Sequence, residues 1–190
     1  MTAEAAEIII GGGVVIYPTE TVYGLGAGAF DRQAVLRVFE IKKRPLSMPI
    51  TLAVSSLEMM GEVSEIGDED LELLKRLLPG PVTVLVRKKD VVPDLLTAGS
   101  PLVGIRFPDH AMALEMIAAA GPITSTSANI TGQPAPASPK EISDHIYKSA
   151  DLMVDGGRCR YAEPSTLLDL KRREIIRPGA GLKEVQKAIS

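Results

Sequence analysis

Tryptophan is absent from this 190-residue chain, cysteine occurs once and histidine only twice. The lone thiol, Cys159, excludes an internal disulfide and any Cys-x-x-Cys metal site, as suits a reducing compartment. His110 and His145 are too few for a histidine-rich metal centre. Four tyrosines and three phenylalanines leave little aromatic surface on which unpaired bases would stack. Long hydrophobic runs are missing too: Ile8 to Ile10 and Val14 to Ile16 fall far short of the ~20 apolar residues that cross a bilayer. The opening MTAEAAEIIIGGG carries acids where a secretory leader carries bases, so the expectation is a cytoplasmic protein with no membrane contact. Nor does either charge dominate. With 21 Lys and Arg against 24 Asp and Glu, the net charge is -3, and any anion site must be a local gathering of bases.

What is present is a packed chain. An apolar fraction of 45% with 24% charged residues suits one domain over 1–190, burying roughly 70% of the surface its unfolded chain would expose. Ala3 to Ile10 reads as a helix stopped by Gly11 to Gly13, VVIYPT as a strand buried on both faces, and TETVYGLGAGAF as a turn-rich segment. Asp31 caps a helix from Arg32 to about Lys43, which Pro45 ends. Alternation continues through the strand MPITLAVSS, the helix GDEDLELLKRLL, the strands VTVLVRK and PLVGIRFPD, the helix HAMALEMIAAAG and the strand PITSTSAN. Ser138, Pro139 and Glu141 form a capping box that predicts a helix carrying His145 on its solvent side, and DLMVDGG, STLLDL and REIIRPG read as the last strands. The class is α/β (α+β in segregation): a twisted mixed sheet flanked by helices.

Several patterns invite chemistry. GLGAGA matches a dinucleotide fingerprint in letters, but Pro18 to Tyr23 separate it from the preceding strand and no acid ends the next one, so a tight turn or close backbone approach is the better reading. Neither histidine is placed as a general base, and Cys159, although Arg158 and Arg160 flank it, lacks a partner signature. The stretch EIKKRPLSMPI is different. Cations in a last helical turn complement the helix dipole, for ~0.3 to 1 kcal/mol each when exposed. Arg44, however, also stands at the entrance of a strand, where α/β proteins take ligands. Arg106 in GIRFP and Arg177 in IIRPG each end an apolar strand in the same way, so several strand ends are expected to converge on one anion-rich ligand. TSTSAN adds four hydroxyls and an amide at another strand end, suited to neutral hydrogen bonding.

Taken together, YPTETVYGLG, KKRP, PGPVTVLV, GIRFP, TSTSANITG, PSTLLDL and IIRPGA resemble, in order and spacing, the YrdC-type threonylcarbamoyl-AMP synthases, from about Gly11 to Ala180. The resemblance implies the YrdC/RibB-like fold with a large concave cavity, in the family's short form. It implies condensation of L-threonine, bicarbonate and ATP to threonylcarbamoyl-AMP and pyrophosphate, for N6-threonylcarbamoyladenosine at position 37 of tRNA. The catalytic Lys-x-Arg and Ser-x-Asn elements would fall on Lys42, Arg44, Ser127 and Asn129, all facing ATP, with Arg177 as a further ATP contact. Threonine would be held by Thr21, Arg106, Ser125 and Ser165. Ala53 and Ala135 depart from the pattern, where longer members offer a histidine and a serine. Mg2+ is expected to arrive with ATP, and the unstable product to pass to a tRNA threonylcarbamoyl-transfer complex, with direct RNA binding by this chain weak at most. Two alternatives remain at this point: an RNA-binding module, disfavoured by the net charge of -3, and a YciO-like paralogue without full synthase activity, disfavoured by the intact Lys-x-Arg element.

Overall fold

The computed structural model describes residues 1–190, and a ten-stranded mixed sheet runs through it. Helix α1 (Thr2–Ile10) turns through Gly12, whose φ is +84°, into β1 (Val15–Tyr17), a strand buried along its whole length. Alternate residues from Val14 to Tyr17 enter different cores: Val14 and Ile16 join the larger hydrophobic cluster, Val15 and Tyr17 a smaller one against α1. This period of two is why both faces must be covered here.

β2 (Gly24–Gly26) pairs antiparallel with β1 and corrects the reading of this segment as turns. Glycine gives no side-chain pattern from which to read a strand. A Cβ on Gly24 or Gly26 would stand 2.8 or 2.9 Å from the Tyr17 ring, so the glycines allow that ring to lie against the strand.

Helix α2 (Arg32–Ile41) begins as predicted, with the Asp31 carboxylate accepting from the N–H groups of Gln33 and Ala34. Its end is a correction. The helix stops at Ile41, before Pro45 is reached, because Lys43 adopts φ +50°. Arg44 N–H then donates to the Phe39 carbonyl at 2.9 Å and Lys43 N–H to that of Glu40 at 3.0 Å, the double closure of a Schellman turn. Lysine takes the place usually held by glycine, at roughly 1–2 kcal/mol for the left-handed conformation. That turn sends Lys42 and Arg44 in different directions.

β3 (Thr51–Ala53) is followed by α3 (Leu57–Val63) and β4 (Ser64–Glu65), neither of which the sequence pattern announced. α4 (Asp68–Leu77) and β5 (Val82–Lys88) fall where expected; a single turn, α5 (Asp94–Thr97), leads to β6 (Leu102–Arg106). α6 (Ala111–Ala120) and β7 (Ile123–Ser127) also match. The capping box yields only a 3-10 turn at Pro139–Glu141: Glu141 accepts from Ala137 N–H and Ser138 Oγ, and Ile142 is extended. The helix that follows, α7 (Asp144–Ser149), is capped by Ser143 instead. His145, exposed on it, bonds the Ile41 carbonyl through Nε2 at 2.9 Å. β8 (Leu152–Met153), β9 (Thr166–Asp169), β10 (Glu174–Arg177) and α8 (Leu182–Ile189) complete the chain. No helix is long and apolar enough to cross a membrane.

The strand order is β10-β9-β5-β6-β3-β7-β2-β1-β8, with β4 on β5. β3–β6, β5–β9 and β1–β8 are parallel and the other pairs antiparallel. This order brings strand ends distant in sequence to one concave region: Arg106 of β6 lies opposite Thr83 of β5 and Ala53 of β3, and Ser125 of β7 opposite Thr51.

Candidate functional site

A cavity of about 220 Å³ opens where these strands meet. Thr21, Arg44, Arg106, Ser125, Ser127, Ser165 and Arg177 all line it, so six segments spread over the chain deliver these residues to one place. A second concavity of about 360 Å³ shares Arg44, Thr51 and Arg177 with it and runs on over Leu85, Leu102 and Leu167. The largest cavity, about 680 Å³ beside β4 and α4, holds none of the candidate residues. Volume and chemistry point to different places here, and the convergence of charged and hydroxyl groups decides for the smaller one.

Three arginines line the site, and their surroundings differ. Arg106 is 4% exposed, and its Nη2 donates to Glu20 Oε1 at 2.6 Å. Its Nη1 donates to the carbonyls of Gly80, Val82 and Phe107. Glu20 is 3% exposed, and Oε1 accepts a second bond, from Asp109 N–H at 3.1 Å. A buried ion pair of this kind is close to neutral seen from a distance. Arg44 and Arg177 face no carboxylate. Arg44 donates only to the carbonyls of Met48 (3.2 Å) and Pro49 (2.7 Å), and Arg177 to that of Ser165 (2.9 Å). Partial burial pulls the Arg44 guanidinium below its ordinary pKa, the signature of a charge that lacks a counter-ion.

Hydroxyl groups fill the space around Arg106. Thr19 and Thr21 share a 2.8 Å bond, Thr83 and Ser165 one of 2.7 Å, and the Tyr17 phenol donates to Ser125 Oγ at 3.4 Å. Burial pushes Tyr17 up to about 12, which keeps that phenol protonated and neutral. Thr83 and Tyr17 were not anticipated from the sequence. A threonine inside the apolar run of β5 was the available signal for the former.

Lys42 and Asn129 are not part of the lining, contrary to the expectation that both face ATP. Lys42 is 1% exposed, and its Nζ donates to the Ser127 carbonyl, to the Asn129 carbonyl at 2.8 Å and to Asn129 Oδ1 at 3.4 Å. The helix stop at Lys43 directs it under the end of β7. Asn129 Oδ1 in turn accepts from Ser127 Oγ at 2.5 Å, and Nδ2 donates to the Gln133 carbonyl at 2.6 Å. The two residues thus fix the turn that presents Ser127 to the cavity. Burial first, and Arg44 second, pull the Lys42 ammonium down to about 7. Its hydrogen bonds work the other way, since three accepting oxygens call for three protons.

Ala53 and Ala135 do not reach the cavity, nor do His110, His145 and Cys159. The arginines flanking Cys159 do not activate it, because burial pushes its thiol up instead. The cavity lining contains no carboxylate, and no cluster of three His, Cys, Asp or Glu side chains suited to a metal ion occurs in the structure. What converges is cationic and hydroxylic, arranged for binding and polarising anions without a side-chain base.

Residues 7–179 match the Sua5/YciO/YrdC family model, which carries the description "Telomere recombination". A Pyrococcus abyssi protein named threonylcarbamoyl-AMP synthase is 40% identical over 190 residues, covering 97% of this chain and 56% of its own length. The chain therefore spans little more than half of that relative. A Stutzerimonas stutzeri protein of the same name is 32% identical and is covered over 95% of its length, against 92% of this chain. The crystal structure of P. abyssi Sua5 complexed with L-threonine superposes with a TM-score of 0.93 at 40% identity, over 100% of this chain and 57% of that one.

Proposed function

The chain belongs to the Sua5/YciO/YrdC family, and we propose that it is an ATP-dependent nucleotidyltransferase making threonylcarbamoyl-AMP from L-threonine, bicarbonate and ATP, with release of pyrophosphate. The product is the activated form from which N6-threonylcarbamoyladenosine is made on tRNA. One observation carries this reading: the cavity has a hydroxyl-rich end whose arginine is neutralised by Glu20, and an end where Arg44 and Arg177 keep their charge. A zwitterionic amino acid suits the first and a triphosphate the second.

The chemistry follows from that polarity. The threonine amine and bicarbonate give a carbamate and water, and a carbamate oxygen then attacks the α-phosphorus of ATP as pyrophosphate leaves. Two anions must meet, so fixed cations have to offset their repulsion without reorganising. Arg44, joined to the chain by two carbonyl contacts, is preset for a phosphate, and Arg177 lies across the same opening. Arg106 receives the threonine carboxylate, while Thr21, Ser125 and Ser165 bond its amine and hydroxyl. Ser127, held by Lys42 and Asn129, orients the nucleotide. Because the lining offers no carboxylate, Mg2+ enters as part of the substrate, in its complex with ATP and otherwise hydrated. The product is a mixed anhydride, too labile to accumulate, so a tRNA-modifying complex in the cytoplasm consumes it.

Mixing the chain with ATP, Mg2+, bicarbonate and L-threonine should release pyrophosphate in proportion to threonine. Release no greater than in the absence of protein, or equal release with serine, would remove the proposal. ATP binding without turnover would favour the paralogue reading, and tight salt-dependent tRNA binding without ATP the RNA-binding one.

A further inference from the structure

Glu20 is the one buried acid at this site, and the proposed function uses it only as the neighbour that neutralises Arg106, without saying which ligands that neutrality turns away. It does not line the cavity itself. Arg106 does, while Glu20 lines a separate cavity of about 260 Å³ with Pro18, Thr19, Asp109 and His110, so the ion pair forms part of the wall between the two. Glu20 Oε1 is bound to Arg106 and to Asp109 N–H, whereas Oε2 is buried with no hydrogen-bond partner. Leaving a carboxylate oxygen buried and unbonded costs free energy. The guanidinium does not need that carboxylate to stay in place, since three carbonyls already accept from its Nη1.

We propose that Glu20 sets the amino-acid specificity of the site by cancelling the charge of Arg106. The inference rests on the reading of the Arg106 end as the threonine subsite. An uncompensated arginine in a buried cavity would attract any small anion, and ATP, bicarbonate and pyrophosphate are all anions that reach this cavity during turnover. With Glu20 behind it, Arg106 still offers donors to a carboxylate, but the field is balanced. A ligand carrying one negative and one positive group is accepted, and a plain anion gains nothing from the charge. Discrimination comes from a repulsive element placed beside an attractive one. Glu20 acts through Arg106 and is a positioning and charge-balancing residue. Glutamine in its place keeps the acceptor oxygen and the size but removes the charge.

The probes are L-threonine, 3-hydroxybutyrate, which is threonine without its amine, and threoninamide, which lacks the carboxylate charge. Each is titrated calorimetrically into the full chain, its Glu20→Gln and its Glu20→Asp variants. Wild type and Glu20→Asp should bind threonine at least about 100-fold more tightly than 3-hydroxybutyrate, and Glu20→Gln should narrow that gap to about tenfold. Inorganic pyrophosphate should compete with threonine in Glu20→Gln only. An unchanged gap in a folded Glu20→Gln protein would reduce Glu20 to a structural role and overturn the inference. If Glu20→Gln does not fold, wild type decides alone: a balanced end binds 3-hydroxybutyrate and threoninamide equally poorly, whereas preference for the anion would overturn the inference. Failure of wild type to bind threonine at all would instead remove the proposed function, so the two failures are told apart.

Discussion

Arg106 and Arg44 are the same side chain in one cavity, yet one is sealed to an acid and the other is not. Arg106 has its charge answered inside the protein, so its removal leaves Glu20 buried alone. Arg44 is bonded only to neutral carbonyls and keeps its charge for whatever enters. The first is therefore a part of the fold that also lines the cavity, and the second is a part of the cavity that the fold scarcely needs. Burial and partners, more than residue type, tell the two apart.

That contrast can be broken by mutation. Arg106→Ala has the largest expected effect: stranding a buried carboxylate should destabilise the protein by ~3–5 kcal/mol, for a fall of about 10 °C in Tm read by calorimetry. Arg44→Ala should leave Tm within a few degrees while pyrophosphate release falls about 10²- to 10³-fold, the scale of losing a preset donor to a developing anion. A matching loss of Tm in both variants would erase the distinction. Arg177→Ala, with one carbonyl contact, should weaken ATP binding by about tenfold with little change in the KM for threonine.

A smaller effect separates the site from its support. Lys42 is held near 7 in the folded protein against an ordinary 10.5, so between those values the unfolded chain binds the extra proton. Stability contributed by this group then rises with pH from about 7 to about 10.5, because the proton is a burden to the folded state. Urea midpoints at pH 7 and pH 9 should rise for wild type relative to Lys42→Met. A flat difference would mean that the carbonyls around Nζ hold the ammonium fully charged.

How much of this was legible in the sequence depends on the distance over which each feature is decided. β5 was readable because the run Val82 to Val86 carries the apolar pattern between a Pro-Gly-Pro stop and a charged exit. Arg106 and Arg177 were readable as strand-end cations. β2 was not, because glycines bear no side chain to show a period. The direction of Lys42 was hidden because it depends on the left-handed turn at Lys43, a conformation that lysine does not advertise. Glu20 was invisible as a partner because Arg106 lies 86 residues further along the chain. Local chemistry showed where cations gather at strand ends, but not which of them the fold had already neutralised.

A crystal structure of the chain with L-threonine and a non-hydrolysable ATP analogue tests this division most directly. Triphosphate oxygens within hydrogen-bond distance of Arg44 and Arg177, with the threonine carboxylate on Arg106 and Glu20 still paired behind it, is the expected result. Phosphates on Arg106 with the Glu20 bond broken, or threonine seated at Arg44, would overturn the assignment of the two ends.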